Sequence, residues 1–356
     1  MRSCDVLIVG GGPAGSSCAW KLRQAGMDAV ILDRAHFPRD KVCGGWITPE
    51  VLTRLEIDPS CYAQGRVLQP IRAFRVGVIG GKCVHVDFGK TVSFGIRRRE
   101  LDDFLLKRSG ARVIQDTPLE RLERSGEAWI ANDSIRARIV IGAGGHFCPV
   151  ARIMGAKPTE AVVAQESEFE MSPEQIARCE FRGDTPELYF SRDLLGYGWC
   201  FRKDGVLNVG LGRADGHRLS EHVREFMQWK APWAPKPHGH AYLLYGSSPR
   251  RIFGDGWMLA GDAAGLAYPF SGEGILPAIE SGLIAADIIA RGEPFGRYPE
   301  RLAARFGKPS SWLTRGLTRI GSMLPRSFIA DHVVPASWFA RSVVLDRWFL
   351  HTKAHS

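Results

Sequence analysis

The chain has 356 residues, of which 45% are hydrophobic, 24% charged and 10% aromatic. This is the composition of a globular protein with a sizeable core, long enough for roughly two or three domains of ~100–200 residues, and it excludes fibrous and largely disordered chains. The formal charge of +9 favours anionic partners, but charge alone does not choose among nucleic acid, a phospholipid surface and a phosphorylated substrate.

The eight cysteines show neither a Cys-x-x-Cys nor a paired Cys/His spacing, which argues against a zinc site and against a secreted disulfide framework. No apolar run approaches the ~20 residues of a membrane-crossing helix. The first apolar segment is too short and too rich in glycine to be a secretory signal. We therefore expect a cytoplasmic protein with reduced thiols and no metal.

The beginning of the chain has the pattern of a β-α-β unit. The run Asp5-Val-Leu-Ile-Val9 predicts a strand, and Gly10-Gly-Gly12-Pro-Ala-Gly15 predicts a tight turn that opens a helix. The run Asp28-Ala-Val-Ile-Leu-Asp33 predicts a second strand that ends in an acid.

This order of elements indicates dinucleotide binding. Gly10 permits the turn, Gly12 lets the backbone approach a pyrophosphate, and Gly15 allows the helix to pack closely on the strand. Asp33 can accept hydrogen bonds from a ribose. The alternative is an ordinary glycine-rich loop, which would not need strand, turn, helix, strand and acid in this order.

The middle of the chain predicts a second domain. Segments 66–95 and 160–250 contain short aromatic and β-branched runs, which are typical of an antiparallel sheet. Within it, Tyr197, Trp199 and Phe201 alternate and so share one face of a strand. Such a face is either the apolar wall of a cavity or ordinary core packing.

Two glycine-rich segments follow predicted strands. After Arg138-Ile-Val-Ile141, Gly142 and Gly144 can admit a phosphate or ribityl chain closely. Gly256-Trp-Met-Leu-Ala-Gly-Asp262 ends in an acid suited to a ribityl hydroxyl, and Gly272 and Gly274 precede a helix over 275–290. Its N-terminus would favour the negative charge of a reduced flavin, so FAD is the expected dinucleotide.

The region after Pro299 predicts basic amphipathic helices. It either caps the FAD-binding domain or contacts a membrane surface, and no nucleic-acid motif accompanies its charge. Its helical repeat and its aromatic residues are Leu313, Arg315, Leu317, Arg319, Ile320, Leu324, Trp338, Phe339, Trp348 and Phe349.

Together these motifs resemble the FAD-dependent aromatic-hydroxylase-like superfamily, and most closely its geranylgeranyl reductase family. Asp40-Lys-Val-Cys43-Gly44-Gly45 is similar to the family segment that passes the flavin ring, and Arg98 matches an arginine that reaches the FAD phosphates. The motifs and the resemblance imply a set of cofactor-binding residues: Gly10, Gly12, Pro13, Ala14, Gly15, Asp33, Arg34, Cys43, Gly44, Gly45, Arg98, Leu119, Gly142, Gly144, Gly261, Asp262, Gly272, Gly274 and Ile275.

The segment from Tyr197 to Lys203, running to Gly210-Leu-Gly212, is similar to the reductase signature Tyr-x-Trp-x-Phe-Pro-Lys followed by Gly-x-Gly. That signature lines the substrate cavity, which implies Tyr197 and Trp199 as catalytic residues. The third candidate, Cys43, comes from the segment that passes the flavin ring, where its thiol would donate a proton or shape the ring pocket. Arg202 replaces the usual proline. Gly144 stands where hydroxylases of the superfamily carry an aspartate, which weakens the hydroxylase interpretation.

The resemblance implies an α/β protein with a Rossmann-like FAD-binding domain, an antiparallel substrate domain and a helical C-terminal region. We expect the FAD-binding domain at 1–65, 96–158 and 250–295, the substrate domain at 66–95 and 159–249, and the helical region at 296–356. The FAD-binding domain is thus expected to be discontinuous.

The expected function is reduction of C=C bonds in a hydrophobic or prenyl-type substrate by hydride transfer from flavin N5. No second nucleotide fingerprint is present, so NAD(P)H or a reduced electron-transfer protein would supply electrons transiently. A flavin monooxygenase, either a hydroxylase or a halogenase, and a non-catalytic flavoprotein that binds a lipid or a protein remain alternatives. Peripheral contact with the inner membrane face is a further option.

Overall fold

A computed structural model describes residues 1–156, 161–245, 250–307 and 325–352. Up to residue 142 the elements are β1 (Arg2–Val9), α1 (Pro13–Gln24), β2 (Ala29–Leu32), β3 (Trp46–Ile47), α2 (Pro49–Arg54), α3 (Pro59–Tyr62), β4 (Leu68–Ile71), β5 (Ala73–Val78), β6 (Cys83–Asp87), β7 (Ser93–Ile96), α4 (Arg98–Arg108), β8 (Arg112–Ile114), β9 (Leu122–Ser125), β10 (Ala128–Ala131) and β11 (Ile135–Gly142).

The later elements include a short 3₁₀ turn (Gly261–Ala263) between the last strand and a long helix. They are α5 (Pro149–Ile153), β12 (Val162–Glu170), α6 (Pro173–Arg178), β13 (Glu187–Phe190), β14 (Gly196–Lys203), β15 (Val206–Arg213), α7 (Leu219–Lys230), β16 (His238–Tyr242), β17 (Phe253–Gly254), β18 (Trp257–Leu259), α8 (Ile275–Ala290), α9 (Arg297–Phe306), α10 (Arg326–Phe328) and α11 (Ser337–Phe339). Helices α10 and α11 run on into π-helical stretches, Ile329–Val333 and Ala340–Phe349 respectively.

The chain forms two compact units, and each collects separate stretches of sequence. The first unit consists of the described residues of Met1–Asp40, Arg99–Thr159 and Tyr242–Trp312. The second consists of those of Lys41–Arg98, Glu160–Ala241 and Leu313–Ser356.

The first unit is built on an eight-stranded sheet with the order β17-β18-β11-β1-β2-β8, to which β10 and β9 add. Strands β2, β1, β11 and β18 are parallel, and the register places Val9 beside Leu32 and Gly142. The segments that follow these strands therefore leave the same edge of the sheet. The predicted β-α-β unit and the Rossmann-like α/β class are confirmed.

Helices α1 and α8 pack against each other in the first unit. A Cβ atom on Gly282 would lie 2.3 Å from Ala14 O, so this glycine lets the two helix backbones approach closely. The contact fixes α8 beside the helix that follows the Gly10 turn.

The second unit contains a seven-stranded sheet with the order β16-β12-β15-β14-β13-β5-β6, and a small sheet of β3, β7 and β4. Strands β12, β15, β14 and β13 pair antiparallel in that order, as do β5 and β6, whereas β13 and β5 are parallel. One face packs against α7, where Val223 and Phe226 join a core with Cys200 and Val209.

Residues 41–65 belong to the second unit, whereas the sequence suggested that they lie in the FAD-binding domain. The physical reason is local, because β3 pairs with β7 and the preceding loop bonds to β12 and β15. The functional limits of the FAD-binding and substrate domains stay predictions.

The described C-terminal helices pack within the second unit: the Phe349 ring lies 5.6 Å from that of Trp46 and 5.5 Å from that of Tyr197. Capping of the FAD-binding domain by this region stays a prediction. The predicted repeat of Leu313, Arg315, Leu317, Arg319, Ile320 and Leu324 lies outside the described residues. Across the described part of the chain, every helix is too short or too polar to cross a membrane.

Candidate functional site

The turn after β1 requires glycine for space. Gly10 has φ +114°, and a Cβ atom there would lie 2.3 Å from Ala143 O. A Cβ atom on Gly15 would lie 1.9 Å from Gly10 O. The predicted roles of both residues thus have a steric basis in this structure.

Asp33 lies buried at the end of β2 and orients the glycine turn. Its Oδ2 accepts the Gly11 N–H at 2.6 Å, and its Oδ1 accepts the Ala35 N–H at 2.8 Å. Because each carboxylate oxygen accepts more than one hydrogen bond, ribose hydroxyls can still bind to it. Its neighbour Arg34 is exposed.

Gly12, at the start of α1, faces space that the protein leaves open. A Cβ atom there would meet only Arg39 Nη2, at 3.5 Å, and no side chain caps the helix N-terminus. Arg39 is held by buried Asp102, 3.2 Å away. Free N–H groups at a helix N-terminus beside an arginine suit an anion, so these residues fit the pyrophosphate of a dinucleotide.

The segment after β18 brings a second acid to a helix start. Asp262 Oδ1 lies 3.0 Å from the position that a Cβ atom on Gly274 would take, just before Ile275 begins α8. A Cβ atom on Gly272 would lie 2.4 Å from the Tyr242 hydroxyl oxygen. The acid therefore stands beside the uncapped N-terminus of α8, as the flavin prediction requires.

The other predicted cofactor residues of these segments differ in their surroundings. The Cβ position of Gly142 is filled by Leu259 and Val150, and that of Gly144 lies 3.2 Å from Cys148 Cα. Leu119 is buried in the core of the first unit, and Arg98 is buried at the start of α4. Direct cofactor contact by these four residues stays a prediction.

In the second unit, the Cys43–Gly45 loop and the nearby Lys41 are bonded to the sheet at three points in all. Lys41 Nζ donates to His240 Nε2 at 2.7 Å, on β16. The Cys43 N–H donates to Glu166 Oε1 at 2.5 Å, and Cys43 O accepts from Asn208 Nδ2 at 3.1 Å. The thiol and its two glycines are thereby held over β12 and β15.

Trp199 lies beside this loop in a fixed orientation. Its Nε1–H donates to Asn208 Oδ1 at 2.7 Å, and a Cβ atom on Gly210, opposite it on β15, would lie 2.4 Å from its Cζ2 atom. A Cβ atom on Gly44 would lie 3.6 Å from Trp199 Nε1. Tyr197 is half-buried, with its ring 6.0 Å from that of Trp199.

A buried charged cluster underlies the loop. Lys203 is fully buried, and its Nζ lies 2.6 Å from Glu168 Oε2. Burial opposes ionisation of Glu168, but Lys203 and Asn208 outweigh it and hold the pKa of Glu168 below its usual value. Burial raises the pKa of Glu166 to about 7, although the Cys43 N–H and Lys203 favour its charged form.

Sequence reasoning missed Glu166, Glu168 and Asn208. The signal was the alternation of Glu166, Glu168 and Glu170 in one strand, which places the three acids on one face. Alternating acids usually mark a solvent-facing side, so only the buried partner Lys203 shows that this face is covered.

The comparisons with known proteins agree with this arrangement. A family model described as an NAD(P)-binding Rossmann-like domain matches residues 8–64. The chain is 29% identical over 344 residues to menaquinone reductase of Mycobacterium tuberculosis, covering 86% of this chain and 81% of that protein. It is 26% identical over 338 residues to digeranylgeranylglycerophospholipid reductase of Methanococcus vannielii, covering 86% and 81%.

The chain is a relative of geranylgeranyl-type reductases. Among solved structures, a geranylgeranyl bacteriochlorophyll reductase-like protein of Thermoplasma acidophilum shares the fold, with a TM-score of 0.78, 22% identity and coverage of 94% of this chain and 92% of that one. The flavin-dependent halogenase CmlS shares the fold at a TM-score of 0.64 and 24% identity, covering 86% of this chain and 61% of that one.

The expectation of an FAD-dependent oxidoreductase that resembles geranylgeranyl reductases is confirmed. The matching family model is that of a dinucleotide-binding domain, and several structures that share the fold are those of flavin-dependent proteins.

Replacing Gly12 of this protein with alanine should lower its affinity for FAD at least about tenfold without unfolding it. The added methyl group would meet only Arg39 at ordinary contact distance, yet it would occupy the approach of a pyrophosphate to α1. Flavin fluorescence titration of the apoprotein measures the change. Gly296→Ala is the matched control, because that glycine at the start of α9 has no neighbour within 4 Å; equal FAD affinity in both variants would contradict the assignment.

Proposed function

We propose that the chain is an FAD-dependent reductase that adds a hydride to a C=C bond of a hydrophobic, prenyl-type substrate. The observation that carries the proposal is Trp199, whose indole is fixed by Asn208 and Gly210 beside Gly44. In the geranylgeranyl reductase family, the segment that resembles this loop passes the flavin ring. An aromatic wall at that place suits an apolar substrate.

The relatives support the substrate class. One is named for menaquinone and the other for a digeranylgeranylglycerophospholipid, and both compounds carry isoprenoid chains. Arg202, in place of the family's proline, belongs to the same strand as the aromatic residues and marks a departure that would adjust the choice among such substrates.

FAD would be held by the residues of the first unit that fit it, Gly10 to Gly15 with Asp33 at one end and Asp262 with Gly274 at the other. When bound and reduced, it supplies the hydride. NAD(P)H or a reduced electron-transfer protein would deliver the electrons.

The three predicted catalytic residues lie in the second unit with distinct roles. Trp199 and Tyr197 would form the wall that orients the apolar chain. Cys43 would shape the ring pocket or donate a proton, and its Sγ accepts the Gly45 N–H at 3.5 Å.

The oxygen-dependent alternative rests on fold alone. The halogenase and monooxygenase neighbours are 16–24% identical, below the identity of the curated reductases. Gly144, where hydroxylases carry an aspartate, also disfavours it.

We further infer a peripheral contact between the C-terminal region and an anionic bilayer. Phe328 and Trp338 are 44% and 65% exposed, and Arg326 and Arg347 are exposed in the same region. Aromatic rings with arginines suit the interface of a membrane, where each basic residue contributes about 1 kcal/mol.

The double variant Phe328→Ser/Trp338→Ser should reduce binding to anionic vesicles at low salt several-fold, because it removes both exposed rings. Co-sedimentation with and without anionic lipid measures this. Phe147→Ser is the control, since Phe147 is 66% exposed in the first unit. If the unaltered chain ignores anionic vesicles, the membrane proposal is wrong.

Gly210→Ala should lower turnover at least about tenfold while FAD stays bound in the first unit, because the added methyl group would displace the Trp199 ring and would also crowd Gln165 O and Glu166 Cβ, each 2.7 Å away. Gly212→Ala is the matched control: its Cβ atom would lie 3.5 Å from Ala164 and 3.9 Å from Trp199, which is ordinary contact. Steady-state kinetics measures the turnover of both variants, and their flavin content shows whether FAD stays bound. Equal turnover would show that Trp199 is core packing and not a cavity wall.

Anaerobic reoxidation of the flavin tests the reaction itself. After reduction by NADH, NADPH or dithionite, an unsaturated prenyl lipid or prenylquinone should restore the oxidised flavin spectrum without oxygen. A saturated prenyl analogue is the control and should not. Reoxidation that requires oxygen and yields a hydroxylated or halogenated product would establish the alternative.

A further inference from the structure

Glu166 presents a carboxyl group to the Cys43–Gly45 loop from inside the second unit. Glu166 is only 4% exposed. Its Oε1 accepts the Cys43 N–H, while its Oε2 is buried without a hydrogen-bond partner among the described residues. One oxygen therefore anchors the loop, and the other has room for a proton.

The cations around Glu166 are engaged by its neighbours. Lys203, on β14, bonds Glu168, and Arg97 lies 3.9 Å from Glu168 and 2.9 Å from Glu170. Two carboxylates thus compete for one buried ammonium, and the one that bonds it stays ionised. Burial and the charge of Glu168 raise the pKa of Glu166 to about 7, although the Cys43 N–H and Lys203 each act to lower it.

Other polar groups near Glu166 bond the loop and the neighbouring acid, and the Asn208 side chain also favours the charged form of Glu166. Asn208, on β15, donates to Cys43 O and to Glu168 Oε2. His240, on the neighbouring β16, accepts from Lys41. The backbone of the loop is in direct contact with the buried Glu166 carboxyl, because the Cys43 nitrogen lies 2.5 Å from its Oε1.

We propose that Glu166 is a positioning residue that acts through Cys43: its protonated carboxyl holds the Cys43–Gly45 loop on the sheet, and its ionisation loosens that loop. The inference rests on the proposed function, because it concerns the loop that we assign to the reductase site. Proton binding and loop packing are then linked, since exposing a carboxylate to water relieves the cost of its burial.

Linkage fixes the sign and the pH range. The acid binds its proton more tightly with the loop packed, so loop packing is strongest below the ordinary pKa of 4.5. It weakens as the pH rises from there to about 7 and then stays constant. Opening of the loop should become about fortyfold more favourable between pH 5 and 7, because the dependence flattens near each of the two pKa values.

Selective ¹⁵N-cysteine labelling of the FAD-loaded protein tests this without substrate or electron donor. We expect the Cys43 amide shift to titrate with a midpoint near 7, because its hydrogen-bond acceptor is Glu166. The protection factor of that amide against hydrogen exchange should fall about fortyfold from pH 5 to 7. The Cys43→Ser variant assigns the signal.

Three comparisons make the result specific. Glu166→Gln keeps an acceptor for Cys43 and imitates the protonated acid, so both pH dependences should vanish. Glu170→Gln removes the same charge from the same strand at a side chain that is 75% exposed, and should behave as the unaltered protein does. The Cys61 amide bonds Asp58, whose pKa hydrogen bonds lower, and should not titrate in this range.

A Cys43 amide that shows no inflection between pH 5.5 and 8.5 overturns the proposal, and so does an inflection that persists in Glu166→Gln. If Glu166→Gln does not fold, the titration of the unaltered protein still decides. A correct titration in a protein without reductase activity would reject the proposed function and leave this inference standing.

Discussion

The side-chain amide of Asn208 organises the candidate site of the second unit. Its oxygen accepts the Trp199 indole N–H, and its nitrogen donates to the Cys43 carbonyl oxygen and to Glu168. One buried group thus fixes the Trp199 indole, the Cys43 loop and a carboxylate at once. Because a buried amide that loses a partner costs about 1–3 kcal/mol, these three features are energetically coupled.

The two glycines after Cys43 have separate structural reasons. Gly44 leaves room for the Phe201 ring, 3.3 Å from the position of a Cβ atom. Gly45 has φ +65°, and its Cβ position lies 2.1 Å from Lys203 Nζ. The segment that resembles the flavin-facing motif of the reductases therefore also packs directly against the buried Lys203 side chain.

Local patterns made part of the molecule predictable. The turn from Gly10 to Gly15 is encoded by neighbouring residues, and alternation alone places Tyr197 and Trp199 on one face. The partners of Glu166 are different, because Cys43 lies 123 residues earlier in the chain. No periodicity in β12 distinguishes a buried acid from a solvated one, so the charged cluster emerged only from the packed sheet. The packing of Phe349 against Trp46 was hidden for the same reason.

The interleaved course of the chain has a consequence for how the molecule is made and dissected. Each unit gathers three separate stretches, and β5 pairs in parallel with β13 across more than a hundred residues. Such pairings must close long loops before they gain stability, which slows folding and keeps strand edges exposed meanwhile. Neither unit corresponds to a continuous fragment that could be expressed alone. The role of either unit can therefore be tested by point substitutions in the whole chain, but neither unit can be removed as a single segment.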